Sequence, residues 1–287
     1  MRKLIINADD LGADEARNEG IFEAIEAGVV TSASLLANGP ALRAGLRRIG
    51  SLSNPGASFG VHINLSEGKP LSRNLRILAG KDGSFLGKGP SQQLLTRSGD
   101  PELEAEIARE MAVQIESLLD SGVKIDHLDG HQHVHVFPAV FPASIRMLRK
   151  YRIPWMRVPE EPLSSSEEGA VPDRLVKEAR FFSGIAERAR AQFKTIDLCI
   201  PNHFRGLYLK GRVSTPVLVS LLRGLRDGLT ELMVHPGRVS RTSLPGPFAA
   251  FSTPDREKEL EALLGRDFRE ALGDSGITLT PFPGELS

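Results

Sequence analysis

The sequence has 287 residues, with 36 basic and 36 acidic side chains that cancel, a length that allows one large α/β domain or two ordinary ones. No block rich in lysine or arginine is present, so composition gives no electrostatic footprint of a nucleic-acid-binding protein. Cys199 is the only cysteine, which excludes an internal disulfide and a thiolate-cluster metal site. No apolar stretch approaches the ~20 residues of a membrane span, and the apolar run in MRKLIINADD is too short for a signal peptide. We therefore expect a soluble, cytoplasmic protein.

Short apolar stretches typical of strands alternate along the chain with longer amphipathic stretches typical of helices. The predicted strands are 3–8, 29–36, 58–65, 124–128, 154–158, 195–200, 231–234 and 277–280. The predicted helices are 15–27, 41–49, 101–121, 139–151, 172–194, 215–227 and 254–273. The clearest helix is 101–121, because Asp100 offers an N-cap, Pro101 suits the first turn and Gly122 ends the apolar pattern.

This alternation predicts parallel βαβ units in an α/β fold. Seven or eight repeats favour a distorted TIM-like (β/α) barrel over an open doubly wound sheet, which stays the alternative. No change in composition marks a linker, so we expect a single barrel domain over residues 1–287. Stretches rich in glycine, proline and serine at 80–99, 159–172 and 238–253 are predicted to be long loops that shape a substrate cleft.

Asp9 and Asp10 stand side by side at the end of the first predicted strand. In barrels of this type the chemistry lies at the carboxyl ends of the strands. One of the two could instead cap the next helix, although Asp14 already offers a cap. Because two adjacent buried carboxylates raise each other's pKa unless a cation lies between them, the pair indicates a metal ion.

Histidines on other predicted strands extend this candidate metal site. His62 lies in the third strand, where a single histidine is more commonly a packed core residue. Four histidines fall within HLDGHQHVH at 127–135, and strand alternation places His127, Asp129 and His131 on one face. One catalytic ion takes only a few protein ligands. The surplus histidines are therefore predicted to orient ligands, contact substrate or pack.

His235 follows a late predicted strand and precedes Pro236 and Gly237. Its position alone fits a turn histidine as well as a functional one. A site with an acid and a base beside a metal ion would require a residue of this kind.

Six motifs in order are similar to those of one known family. NADDLG, VVTSASLLANGP, GVHINLSEGKP, HLDGHQHVHVFP, RVPEEPL and ELMVHPG resemble the YdjC-like carbohydrate deacetylases, which include chitooligosaccharide deacetylase. The resemblance extends from Leu4 to about Pro283. It implies a distorted TIM-like barrel and metal-dependent removal of acetyl groups from N-acetylated sugars.

On the matching positions, the resemblance implies that Asp10, His62 and His131 bind the metal ion. Asp9 matches the first aspartate of the family's pair and is expected to be the catalytic base, and His235 matches the late histidine, to which an acid role is assigned. Residues expected to bind the substrate are Asp129, His127 and Arg157. The chain has Leu11 where the family usually has phenylalanine and Asn202 where it often has aspartate; neither is a ligand, and both could alter the substrate pocket.

The predicted reaction is hydrolysis of the N-acetyl group of an amino sugar or chitooligosaccharide, with metal-bound water as nucleophile. Asp9 would accept the proton of the water and His235 would protonate the leaving amine. Two imidazoles and a carboxylate suit zinc, and the resemblance leaves magnesium open, so we expect one divalent ion, Mg²⁺ or Zn²⁺.

Two other functions remain possible from the sequence. A metal-dependent phosphoesterase or amidohydrolase on a similar barrel usually carries an HxH pair on the first strand, where this chain has DD. A non-catalytic metal-binding protein would surround its ion with protein ligands. The expected partner is the N-acetylated sugar, with no nucleic acid and no membrane, and a homodimer is possible although no sequence feature marks an interface.

Overall fold

The computed structural model describes residues 1–52, 56–163, 171–193, 197–240, 247–249 and 252–283. Its strands are β1 (Arg2–Leu11), β2 (Ser32–Leu35), β3 (Ser58–Ile63), β4 (His127–Gly130), β5 (Trp155–Met156), β6 (His203–Arg205), β7 (Gly228–Val234) and β8 (Thr278–Leu279). Its helices are α1 (Glu15–Glu26), α2 (Leu42–Ser51), α3 (Lys88–Leu95), α4 (Pro101–Asp120), α5 (Phe141–Tyr151), α6 (Asp173–Gln192), α7 (Thr215–Arg223), α8 (Asp255–Leu264) and α9 (Arg266–Asp274). No helix in these ranges is long and apolar enough to cross a membrane.

The strands form one parallel sheet that curls into a barrel. Seven of them follow the order β5-β4-β3-β2-β1-β7-β6, and β8 pairs with the first half of β1. At the open side, Trp155 of β5 forms a parallel bridge with Cys199, shortly before β6. This bridge links β5 to the segment just before β6, and the curled parallel sheet with its surrounding helices confirms the predicted α/β fold, a distorted TIM-like barrel.

The two faces of β1 show where the core lies. Leu4, Ile6 and Ala8 belong to the large apolar cluster that the strands form with the surrounding helices. The residues of β1 that alternate with these three point into the barrel, where Asn7 and Asp9 are buried. The barrel interior is therefore largely polar at its carboxyl end, next to the predicted site.

Three predicted elements differ in the structure. The strand predicted at 195–200 is wrong in position, because Cys199 makes only a single bridge and β6 begins after Pro201, which lacks a backbone N–H; residues 194–196 lie outside the described ranges. The helix predicted at 254–273 is two helices, since Gly265 adopts φ −56° and ψ 138°. The predicted loop at 80–99 contains α3.

Candidate active site

A cavity of about 340 Å³ opens at the carboxyl ends of the strands, and its lining includes Asp9, Asp10, His62, His131 and His235. These are the five residues that the sequence assigned to catalysis and metal binding. The volume lies at the small end of the range for small-molecule sites. The cavity is therefore the candidate active site.

Asp9 and Asp10 are consecutive, yet both line this cavity. Regular strand alternation would place them on opposite faces. The backbone of Asp10 instead has φ 69°, and the register between β1 and β2 shifts between Ala8 and Leu11. This irregularity turns the second carboxylate to the same side as the first.

The carboxylate of Asp10 meets two imidazoles. Its Oδ1 lies 2.8 Å from Nδ1 of His131 and 3.4 Å from Nε2 of His62. The other ring nitrogen of each histidine faces a further carboxylate: Nδ1 of His62 lies 2.8 Å from Asp129, and Nε2 of His131 lies 3.1 Å from Glu67. Metal-binding histidines are typically oriented in this way, so Asp10, His62 and His131 could hold a metal ion.

The charges around these histidines favour a cation. Burial alone would lower the pKa of His62, but Asp129 and Asp10 outweigh it and raise the pKa to about 10. Burial also opposes protonation of His131, whereas Asp10 and Glu67 raise its pKa. Against its own burial, the pKa of Asp10 is held well below its usual value by His131 and Arg17. A divalent ion would supply the positive charge that protons on the two imidazoles otherwise provide.

A second group of potential ligands, Asp9, His62 and Asp129, lies beside the first. Here the guanidinium of Arg157 already occupies the space between the carboxylates, at 2.6 and 2.7 Å from the oxygens of Asp9 and 2.9 Å from Asp129. A metal ion at this position would face a fixed positive charge. The first group is therefore the better metal site.

The structure places His127, Asp129 and Arg157 beneath the cavity, each with 0% exposure, and none of them is among its lining residues. The register explains their closeness, since Asp129 pairs with His62 across β3 and β4 and Arg157 follows β5. Arg157 and Asp129 bond to two residues that do line the cavity, Asp9 and His62 respectively. The binding of substrate by His127, Asp129 and Arg157 stays a prediction.

His127 belongs to the floor of the barrel. Its Nε2 lies 3.1 Å from Oγ of Ser34, and its ring stacks on Phe282 with centroids 4.1 Å apart. Burial is the main reason that its pKa falls to about 4, so the ring is neutral at pH 7. It therefore packs as an uncharged hydrogen-bonding group.

His235 lies at the end of β7, next to Asp9, because Val234 pairs with Ala8 of β1. Its backbone N–H donates to Oε1 of Glu259 at 3.1 Å. Enclosure, together with the charge of Arg256, lowers the pKa of His235 to about 3. The ring is therefore neutral at pH 7 and must receive a proton before it can act as an acid.

Several residues at the site were not predicted. Glu67 contacts His131 and also accepts a hydrogen bond from Gln132 at 3.1 Å, and Arg17 donates to Oδ2 of Asp10 at 2.8 Å. Glu67 lies within the GVHINLSEG motif, which was its only sequence signal. Arg17 gave none, since its role depends on α1 packing against β1.

Comparison with known proteins gives consistent results over nearly the whole chain. A family model described as YdjC-like protein matches residues 3–274. The carbohydrate deacetylase of Mus musculus is 36% identical, covering 96% of this chain and 93% of its own, and that of Geobacillus stearothermophilus is 29% identical, covering 98% and 97%. A crystal structure of an Enterococcus faecalis V583 protein named for cellobiose-phosphate cleavage is 25% identical, with a TM-score of 0.75, covering 98% of this chain and 97% of that one.

These similarities confirm two predictions. The relatives are carbohydrate deacetylases, which confirms the prediction of a hydrolase. The match of the family model over 3–274 shows that the chain belongs to the YdjC-like protein family.

Proposed function

We propose that this protein removes the acetyl group from an N-acetylated amino sugar or chitooligosaccharide with the help of one divalent metal ion. The observation that carries the proposal is the position of Asp9, fixed by Arg157, directly beside the Asp10–His62–His131 group at the bottom of the cavity. A base next to a Lewis-acid site is the arrangement that amide hydrolysis requires. The names of the relatives support a sugar as the substrate.

The residues fit a divalent ion, and we assign Asp10, His62 and His131 as its ligands. Two imidazoles and one carboxylate suit Zn²⁺ better than Mg²⁺, which prefers oxygen ligands. When bound, such an ion polarises the acyl oxygen and activates water for attack.

Asp9 is assigned as the base that accepts the proton of the attacking water. Its Oδ1 accepts hydrogen bonds from Asn7 and Arg157, whereas Oδ2 accepts one from Arg157 within the described residues. Oδ2 can therefore accept a proton from water, and the hydrogen bonds from Arg157 fix the orientation of the carboxylate.

The leaving amine needs a proton before the C–N bond breaks. The proton that Asp9 takes from the water can meet this need. We assign His235 as the group that carries this proton to the leaving amine, because its ring is neutral at pH 7 and lies next to Asp9 across β1 and β7. Acetate and the free amino sugar are then the products. The two departures from the family pattern, Leu11 and Asn202, are not among the residues that line the cavity; Asn202 instead accepts a hydrogen bond from the backbone of Leu229.

The test is acetate release from N-acetylglucosamine and its oligomers by protein loaded with Zn²⁺ or Mg²⁺, with and without a chelator. We expect release that the chelator abolishes and that returning the metal restores. Phosphate release from a generic phosphoester serves as the control, because the phosphoesterase alternative predicts it. No acetate from any acetylated sugar would overturn the proposal.

The cytoplasmic location, the single domain and the homodimer stay predictions. Fractionation of cells and analytical ultracentrifugation would test the location and the assembly.

A further inference from the structure

His133 has no role in the reaction described above, yet it lines the same cavity. It is only 6% exposed, and its Nδ1 is enclosed without a hydrogen-bond partner among the described residues. An enclosed ring nitrogen of this kind is tolerated as a lone pair but is costly as an unpaired N–H. The ring can therefore use only its other nitrogen, Nε2, as a hydrogen-bond donor.

The backbone that presents this ring is strained. Gln132 and His133 have φ/ψ values of 53°/29° and 58°/25°, a left-handed conformation that side chains other than glycine adopt at a cost. As a result three consecutive residues, His131, Gln132 and His133, all line the cavity. Strain of this kind persists where the surrounding structure enforces it, commonly at functional sites.

The surroundings of the ring leave one nitrogen for a ligand. Phe182 and Phe204 pack edge-on against His133, with ring centroids at 4.9 and 6.1 Å, and so fix its plane. Because Nδ1 is enclosed, Nε2 is the nitrogen that a molecule in the cavity could reach. An unpaired lone pair is tolerated more readily than an unpaired N–H, which places the proton on Nε2.

We propose that His133 is a substrate-binding residue whose Nε2–H donates a hydrogen bond to a hydroxyl or ring oxygen of the sugar. The proposal rests on the proposed function, which supplies a substrate rich in such oxygens. Phe182, Leu207 and Met233 also line the cavity and offer apolar contact to the sugar ring. His133 would then add affinity and orientation without binding the metal ion.

Steady-state kinetics on metal-loaded protein with N,N′-diacetylchitobiose test this role. His133→Phe keeps the ring but not the donor, whereas His133→Gln keeps a donor, and both place a non-glycine side chain on the same left-handed backbone. We expect His133→Phe to raise KM by about 2- to 13-fold, the range for one neutral hydrogen bond, with little change in kcat. His133→Gln should recover most of the loss, and both variants should retain their metal.

A KM unchanged in His133→Phe, or equally raised in both variants, would overturn the proposal in favour of packing.

A second experiment leaves His133 unchanged and observes its ring directly. In the Asp9→Asn protein with ¹⁵N-labelled histidine, the Nε2 resonance of His133 should shift on addition of diacetylchitobiose, and an unmoved resonance contradicts binding. If the wild-type protein releases no acetate the proposed function fails, while the resonance still reports whether the sugar reaches His133.

Discussion

One guanidinium organises the carboxylates at the bottom of the site. Arg157 contacts Asp9 and Asp129 and donates through Nε to Glu231 at 2.7 Å. At Glu231 burial raises the pKa by more than Arg157 lowers it, so that the pKa is about 7. The fork geometry of arginine suits such shared, directional pairing better than the point charge of lysine. Arg157 therefore fixes the base and, through Asp129, one ring of the metal site.

Replacing Asp9 by asparagine tests the base. The variant keeps the size of the side chain but cannot accept a proton, and its NH2 group replaces one of the two oxygens that accept hydrogen bonds from Arg157. We expect kcat to fall by about 10² to 10⁴, with metal content unchanged in elemental analysis. Asp126→Asn is the matched control, because Asp126 precedes β4 and pairs with the exposed Lys124. Activity near that of the wild type in Asp9→Asn would rule out this base.

The buried His135 predicts a particular pH dependence of stability. Its pKa falls to about 4, mainly through burial, below the ordinary 6.5. The unfolded chain thus binds this proton more readily, so the contribution of His135 is complete above pH 6.5 and is lost as the pH falls toward 4. In His135→Gln the free energy of unfolding should fall less steeply in that window, by about 1.4 kcal/mol per pH unit. Urea titrations of both proteins from pH 4 to 8 measure the free energy of unfolding at each pH. Above pH 7 the two plots of this free energy against pH should run parallel, and equal slopes below pH 6.5 would contradict the prediction.

At the scale of elements, the ends of β1 and β4 share a left-handed backbone conformation that turns neighbouring side chains to the same side. Asp10 in β1 and Gln132 and His133 after β4 adopt left-handed backbone conformations, so neighbouring side chains face one cavity. The sequence predicted that Asp9, Asp10 and His131 lie near each other, because strand ends meet in a barrel. It could not predict their directions, since none of these positions carries a glycine that would signal the turn.

The predicted helices and strands were accurate where local signals dominate. Asp100 caps α4 as expected, accepting from the backbone N–H groups of Glu102 and Leu103. The break between α8 and α9 at Gly265 was missed, because one glycine costs a helix only about 1 kcal/mol and tertiary packing decides the outcome. Arg17 and Glu67 were missed for the same reason, as their contacts join distant parts of the chain.

Gly60 in β3 is predicted to be essential for the floor of the barrel. A Cβ atom at this position would lie 2.3 Å from the ring of His127, which is itself stacked on Phe282. Gly60→Ala should therefore lower the free energy of unfolding by about 1–3 kcal/mol. Gly50→Ala in α2 is the control, since its Cβ would meet nothing within 4 Å, and it should be neutral or slightly stabilising. Chemical denaturation measures both; an undiminished stability of Gly60→Ala would show that the floor can rearrange.

At the scale of the whole molecule, the barrel gathers residues that are far apart in sequence. Four different strands supply Asp9, His62, His131 and His235, each at or just after the carboxyl end of its strand, and the parallel order places all of these ends at one rim. Phe282, beyond β8, packs under His127 at the other side of the polar network. The site is thus supported from below by the last described part of the chain.

Such a site links metal binding to the stability of the whole fold, because the ligands converge only in the folded state. A metal ion present at one hundred times its dissociation constant stabilises the folded protein by about 2.7 kcal/mol. For a chain of this size, that corresponds to a rise in Tm of roughly 4–5 °C. We expect Zn²⁺ to raise the Tm of chelator-treated protein and His131→Ala to abolish the rise. His203→Ala should retain it, because His203 lies on β6 beside Asp227, away from the cavity lining. Differential scanning calorimetry at several metal concentrations measures these shifts, and an equal rise in His131→Ala would place the ion elsewhere.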